Sequence, residues 1–286
     1  MGFIIIGMKE TTKVEYLRRV QRVQSYIEKH LSDRLIPLEL SKLANLSPHH
    51  FHRIFRGITG ESILEYVRRL KLERSARRLR TTEQKVIEIA LDAGYDSHEG
   101  FTRAFRQYFG VSPSEFRGQM PISTPASIAP PDQIEIRAID SIAITKIRHT
   151  GSYDESGKIF PLLISWAESQ GIDLTKARVF GLCFDDPEIT PAEYLRFDAC
   201  IEYEGKDNES MGISTDYIPA GKYAVATHIG AYANILDTYL SLIGGWVPRT
   251  DYELCDEPVV EYYLDDPRKT LPDEMRTELW IRLQSS

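Results

Sequence analysis

Cysteine is scarce in this 286-residue chain. Cys183, Cys200 and Cys255 are odd in number, far apart, and form no C-x-x-C pair. That excludes a disulfide framework and a thiolate zinc site, and it fits a reducing compartment. Long apolar runs are missing as well. At the N-terminus the only such run is Phe3–Ile6, too short for a signal sequence or a membrane span. A cytoplasmic protein with no membrane partner is therefore expected. His49, His50 and His52 lie together, with 49 and 52 on one helix face, but no Cys or further His lies nearby to complete a zinc shell. Neither a metal nor another cofactor is expected.

Charge is present but unevenly divided. Residues 1–120 hold 21 Lys and Arg against 14 Asp and Glu, a balance of +7, while the remainder holds 14 against 28, a balance of −14. The basic part suits a polyanion, and the net charge of −7 conceals it. Met8 opens the more ordinary sequence, so a first domain is counted over residues 8–118. Residues 119–133, with Pro121, Pro125, Pro130 and Pro131, read as a linker. A second domain is counted over 134–286.

The basic part contains a duplication. Phe51-x-Arg53-x-Phe55-Arg56, closed by Gly60, recurs as Phe101-x-Arg103-x-Phe105-Arg106, closed by Gly110. Each copy places aromatics on one helix face and arginines away from it. Each follows a short apolar helix and a polar break, with Ser47-Pro48 and Ser97 as start signals. The result is an all-α domain with two helix-turn-helix units. Their second helices would enter successive major-groove segments of double-stranded DNA. The outward residues are His49, His52, Arg53 and Arg56 in one copy, and His98, Glu99, Thr102, Arg103 and Arg106 in the other. Arginine can grip guanine and glutamate can accept from cytosine. Arg68, Arg69, Arg74, Arg77 and Arg78, on the helix joining the units, would face phosphates.

Beyond the linker the periodicity turns to strands, and a second duplication appears. His149-x-Gly151-x-Tyr153 matches His228-x-Gly230-x-Tyr232, and Asp185-Asp186-Pro187 matches Asp265-Asp266-Pro267. Each half reads as strand, helix, strand, strand, giving an α+β domain with a cleft between facing halves, where ligands commonly bind. Glu261 interrupts an apolar strand on the face of Val259 and Tyr263. An acid there is either paired in the core or facing a cavity. Beside aromatic rings it suits a lipophilic or cationic effector. Tyr153, Trp166, Tyr223, Trp246 and Tyr263 are the candidate walls. No recognisable nucleophile–base pair is present, so no enzyme is expected.

Residues 14–117 resemble the DNA-binding domain of the AraC/XylS transcription-factor family, on the two motifs above with Thr59-Gly60, Ile89-Ala90, Gly94-Tyr95 and Gly110-Val111-Ser112-Pro113. Ser41 stands where the family usually has alanine. Residues 134–283 resemble the GyrI-like small-molecule-binding domain, through the paired H-x-G-x-Y, Ile218–Tyr223 and Glu261-Tyr262-Tyr263. The order is similar to Rob-type regulators. This resemblance implies a transcription regulator that engages DNA and RNA polymerase as a monomer on an asymmetric site. It also implies a small-molecule effector, with Glu261 at the floor of its cleft. Relatives of the second domain alternatively act as gyrase-inhibitor-like protein-interaction modules or as hydrolases.

Overall fold

A computed structural model describes residues 10–118, 133–205, 208 and 211–284. Phe3–Ile6, and residues 119–132 of the segment read as a linker, lie outside them. The chain divides into two compact units, Met1–Met120 and Pro121–Ser286. Among the described residues no helix is long and apolar enough to cross a membrane.

The described residues of the first unit form helices and no strand: α1 (Glu10–Lys29), α2 (Pro37–Leu43), α3 (Pro48–Thr59), α4 (Ile63–Thr81), α5 (Val86–Asp92), α6 (His98–Phe109) and α7 (Pro113–Gly118). Val20, Val23 and Ile27 of α1 pack on Leu40, Phe51, Ile54, Phe55, Tyr66 and Leu70. A second aromatic cluster joins Phe101, Phe105, Phe109 and Phe116. The helix boundaries follow local chemistry. Ser62 accepts from the Glu65 amide while Glu65 reaches back to the Ser62 amide, a reciprocal cap that starts α4. Ser97 accepts from the Gly100 amide and starts α6. Ser47 takes the cap position of α3 but makes no side-chain cap bond, so Pro48 at the first helical position marks that start. Gly60 and Gly110 end α3 and α6 at φ of 82° and 79°, a left-handed geometry that favours glycine.

The second unit is one eight-stranded antiparallel sheet with helices on one face. Its elements are β1 (Ile134–Ile139), β2 (Ile142–Thr150), a 3-10 turn running into α8 (Phe160–Ser169), β3 (Val179–Cys183), β4 (Arg196–Glu202), β5 (Ile213–Ile218), β6 (Gly221–Ile229), α9 (Ile235–Leu240), β7 (Val259–Tyr263) and β8 (Arg276–Arg282). Each half thus has one more strand than the repeat read from sequence, β1 in the first and β5 in the second.

The sheet order is β1-β6-β8-β7-β3-β4-β2-β5. Exchanging the halves reverses this order and leaves it otherwise unchanged, so a pseudo-two-fold axis passes between β3 and β7. The extra strands are exchanged: β1 pairs with β6 of the other half, and β5 with β2. The halves therefore share one sheet instead of facing each other across a gap.

Connectivity also bends that sheet. Only Asp140-Ser141 joins β1 to β2, and only Pro219-Ala220 joins β5 to β6. Three peptide steps span at most about 11 Å, yet six strand spacings of a flat sheet would separate each pair by about 29 Å. The sheet must curl until its two edges converge at this end. Its concave side holds a core of Phe180, Leu182, Cys200, Tyr223, Val260 and Trp280. α8 and α9 pack on the other side, against Phe197, Ala199 and Ile201 and against Ala226, Leu279 and Ile281 respectively.

Candidate functional site

In the first unit α3 and α6 bury Phe51 and Phe55, and Phe101 and Phe105. The opposite faces leave His49, His52, Arg53 and Arg56, and His98, Glu99, Arg103 and Arg106, exposed. The aromatic i, i+4 pair fixes which way each helix is turned, so these faces follow from the sequence. Thr102 departs from the expected outward set: it is half-buried and its hydroxyl has no hydrogen-bond partner. Arg106 is engaged by Glu115 at 3.1 Å. Ser112 and Arg106 hold the Glu115 carboxyl down at about 2. His50 is exposed as well, and its ring bonds the Tyr16 hydroxyl at 3.1 Å.

The phosphate-facing set on α4 needs one correction. Arg69 is 5% exposed and locked between Glu61 and Glu73, so it is part of the interior. A 3.6-residue repeat turns residue 69 to the same side as Tyr66 and Leu70. Arg78 is paired with Asp92 at 2.7 Å and Arg74 donates to Ser32 at 2.8 Å, while Arg68 is exposed.

In the second unit Glu261 sits on the pseudo-two-fold axis. In the β3–β7 register Gly181 lies directly opposite Glu261, and these are equivalent positions of the two halves. A side chain at Gly181 would displace its neighbours: a Cβ there would lie 2.6 Å from both the Phe197 ring and the Tyr263 hydroxyl. One carboxyl therefore occupies the axis. The equivalent positions Cys183 and Tyr263 bracket it. The Cys183 thiol donates to one oxygen at 3.3 Å, and the Tyr263 hydroxyl donates to the other at 2.5 Å. Burial raises the Glu261 carboxyl above the ordinary range, against the opposing effects of those two hydrogen bonds and His228. Burial and the adjacent acid also push the Cys183 thiol up, which keeps it a donor.

This face of the sheet carries both α8 and α9, so rings arrive at Tyr263 from either half. Phe160 approaches edge-on at 5.6 Å and Tyr232 at 5.5 Å. Tyr232 is 37% exposed, and burial together with the Glu261 charge pushes its phenol up to about 12.

Of the walls read from sequence, Tyr263 is at the carboxyl. Tyr153 is one ring removed, 6.3 Å from Phe197, and its hydroxyl is held by the Asp185 carbonyl and amide at 2.8 and 3.0 Å. Trp166 lies on the buried face of α8 with its ring 6.2 Å from Tyr203. Trp246 stacks on Tyr252 and packs with the α9 core. Tyr223 is turned to the concave face beside Trp280, its hydroxyl on the Pro219 carbonyl at 2.8 Å. Register decides this: Tyr223 pairs with Arg282, whereas Ala224 and Ala226 share the helix-bearing face with Leu279 and Glu261.

Phe160, Tyr232, Cys183 and Gly181 were not singled out from sequence as site residues. The signal that could have found three of them was comparison of equivalent positions: Gly181 with Glu261, Cys183 with Tyr263, Tyr153 with Tyr232. The repeated histidines are turn locks. His149 and His228 bond through Nε2 to the carbonyls of Ser152 and Ala231 at 3.0 and 3.2 Å.

Residues 132–284 match the GyrI-like small molecule binding domain, and residues 40–119 match a helix-turn-helix domain. Among similar proteins, the uncharacterized HTH-type transcriptional regulator YbfP of Bacillus subtilis is 33% identical over 36% of this chain and 35% of its own length. The HTH-type transcriptional activator AarP of Providencia stuartii is 35% identical, over 34% of this chain and 73% of its own. The regulatory protein SoxS of Salmonella typhimurium is 34% identical, over 35% of this chain and 94% of its own. The chain thus spans about a third of YbfP and nearly all of SoxS.

Proposed function

The chain belongs to the AraC-type helix-turn-helix regulators and to the GyrI-like small-molecule-binding family, and from that premise we propose a cytoplasmic one-component sensor. Its first unit binds double-stranded DNA through α3 and α6, with His49, His52, Arg53, Arg56, His98, Glu99, Arg103 and Arg106 as the contact set. A monomer reads two successive major-groove segments, so its site is asymmetric. RNA polymerase is the second macromolecular partner. An activator such as AarP offers a precedent in name.

The second unit senses a lipophilic cation. The observation that carries this reading is the on-axis carboxyl of Glu261. It is bracketed by Cys183 and Tyr263 and approached by Phe160 and Tyr232. A carboxylate with two donors keeps lone pairs for a cationic guest, and the rings supply cation–π and apolar contact. Such a guest can alter DNA or polymerase engagement only by binding one functional state better than another.

The test is a titration of the full-length protein with a panel of cationic aromatics and their neutral isosteres. Micromolar binding, roughly −8 kcal/mol, is expected for cations and weaker binding for isosteres. Equal affinity for both would remove the charge-based reading.

A further inference from the structure

Two reading helices can recognise two DNA segments only if something holds them at the right angle and distance. The hydrophobic effect is non-directional, and hydrogen bonds add an orientation that burial alone does not supply. The first unit has a directional element where it is needed. Arg69 of α4 donates through Nη2 to Glu61 at 2.6 Å, and through Nη1 to Glu73 at 3.2 Å. The other oxygen of Glu73 accepts the Tyr108 hydroxyl at 2.7 Å. The Arg69 guanidinium also lies 5.1 Å from the Tyr66 ring centre, and the Tyr66 hydroxyl donates to Glu28 of α1 at 3.1 Å.

The endpoints matter more than the number of bonds. Glu61 follows α3 by two residues and is tied to its last residue, since the Thr59 hydroxyl donates to the Glu61 carbonyl at 3.0 Å. Tyr108 stands in the last turn of α6. Arg69 and Glu73, one turn apart on α4, therefore connect the exits of both reading helices. They also stand where the packing changes over: Tyr66 and Leu70 belong to the core of α1–α4, and Phe105, Phe109 and Phe116 form the cluster around α6 and α7. Arg69 and Glu73 are 5% and 1% exposed. Burial and the Glu73 carboxylate hold the Tyr108 phenol up, so it stays a donor.

Buried ion pairs commonly stabilise less than well-packed apolar groups of the same size, and their best-attested use is to fix register. We propose that Glu61, Arg69, Glu73 and Tyr108 are positioning residues: they set the angle and separation of α3 and α6, and thereby the spacing between the two DNA segments that the protein accepts. This rests on the assignment of α3 and α6 as reading helices. Inserting one base pair turns the second segment by about 35° and moves it about 3.4 Å, so a rigid joint should reject it and a slack joint should accommodate it.

The experiment begins with selection of duplexes from a random library by the full-length protein. Affinity is then measured for the selected site and for versions with one base pair inserted or removed between its segments. Wild type should lose about tenfold or more per change, comparable to a mismatched base pair. Tyr108→Phe keeps the ring and removes the hydrogen bond. The double variant Arg69→Met/Glu73→Leu replaces the ion pair with apolar groups. In both, the spacing penalty should shrink by about threefold or more while the selected site stays preferred over random sequence. A folded variant that keeps the full penalty would overturn the proposal and leave the network a stability element. If the double variant does not fold, Tyr108→Phe decides. Two segments at freely varying spacing would overturn this proposal alone, whereas selected sites with a single segment would remove the two-helix reading and the proposal with it.

Discussion

Arg53 and Arg103 stand at the same place in the two copies of the first unit, and both are exposed on their helices. Gly181 and Glu261 stand at the same place in the two halves of the second, and one is a bare backbone while the other carries the acid. The helix-turn-helix copies lie side by side, so each can keep the same outward chemistry. The sheet halves meet on an axis, and at an axis two equivalent side chains compete for one volume. The same contrast runs through Tyr153 and Tyr232. The first is pinned by the Asp185 backbone, and the second is 37% exposed beside Tyr263. Duplication in one unit repeats a function, and in the other it supplies two halves of one asymmetric site.

The sharpest way to test that asymmetry uses a salt bridge present in both halves. Asp185 binds Arg196 through both oxygens, with side chains 0% and 10% exposed, and Asp265 binds Arg276 in the same pattern at 16% and 54%. Asp185→Ala leaves a buried guanidinium without its acid and should cost about 3–5 kcal/mol in chemical denaturation. Asp265→Ala should change little, as for exposed pairs generally. Equal losses would mean the halves are energetically equivalent despite their different burial.

Gly181→Ala addresses the axis itself. Its Cβ would press on Phe197 and the Tyr263 hydroxyl. A loss of about 1–3 kcal/mol is expected, together with displacement of Tyr263 from Glu261, visible as a changed tyrosine environment by NMR. Wild-type stability with an undisturbed Tyr263 would show that the crowding is relieved cheaply.

In the first unit the copies should behave alike. Arg53→Ala and Arg103→Ala should each weaken specific DNA binding by about 1–3 kcal/mol and relax base preference at one segment. If one variant binds like wild type, the copies are equivalent only in fold.

The smallest effect on stability is expected at Glu261. Glu261→Gln still accepts a bond from Tyr263, so stability should stay within about 1 kcal/mol while affinity for lipophilic cations falls. The pH dependence has a definite sign. The carboxyl is raised by burial, and only its ionised form attracts a cation. Cation affinity should therefore decline on acidification from a pH above the ordinary carboxylate range, and the Gln variant should show no such decline. A flat wild-type profile would separate Glu261 from the effector.

Sequence alone determined the helical unit almost completely. Phe51, Phe55, Phe101 and Phe105 recur at helical spacing, glycines stand at the left-handed ends, and serines mark the starts, because helix faces and caps are set by residues within a few positions of one another. It also placed Glu261 with Tyr263, since alternation along one strand is local. The tertiary structure decided what depended on distant partners. Strand exchange and curling came from two-residue connections acting against an eight-strand order. Register turned Tyr223 to the concave face. Tyr108 of α6 reached Glu73 of α4 from 35 residues away. The axis that gives Glu261 its bracket of Cys183 and Tyr263 exists only once two halves, 80 residues apart in sequence, lie edge to edge.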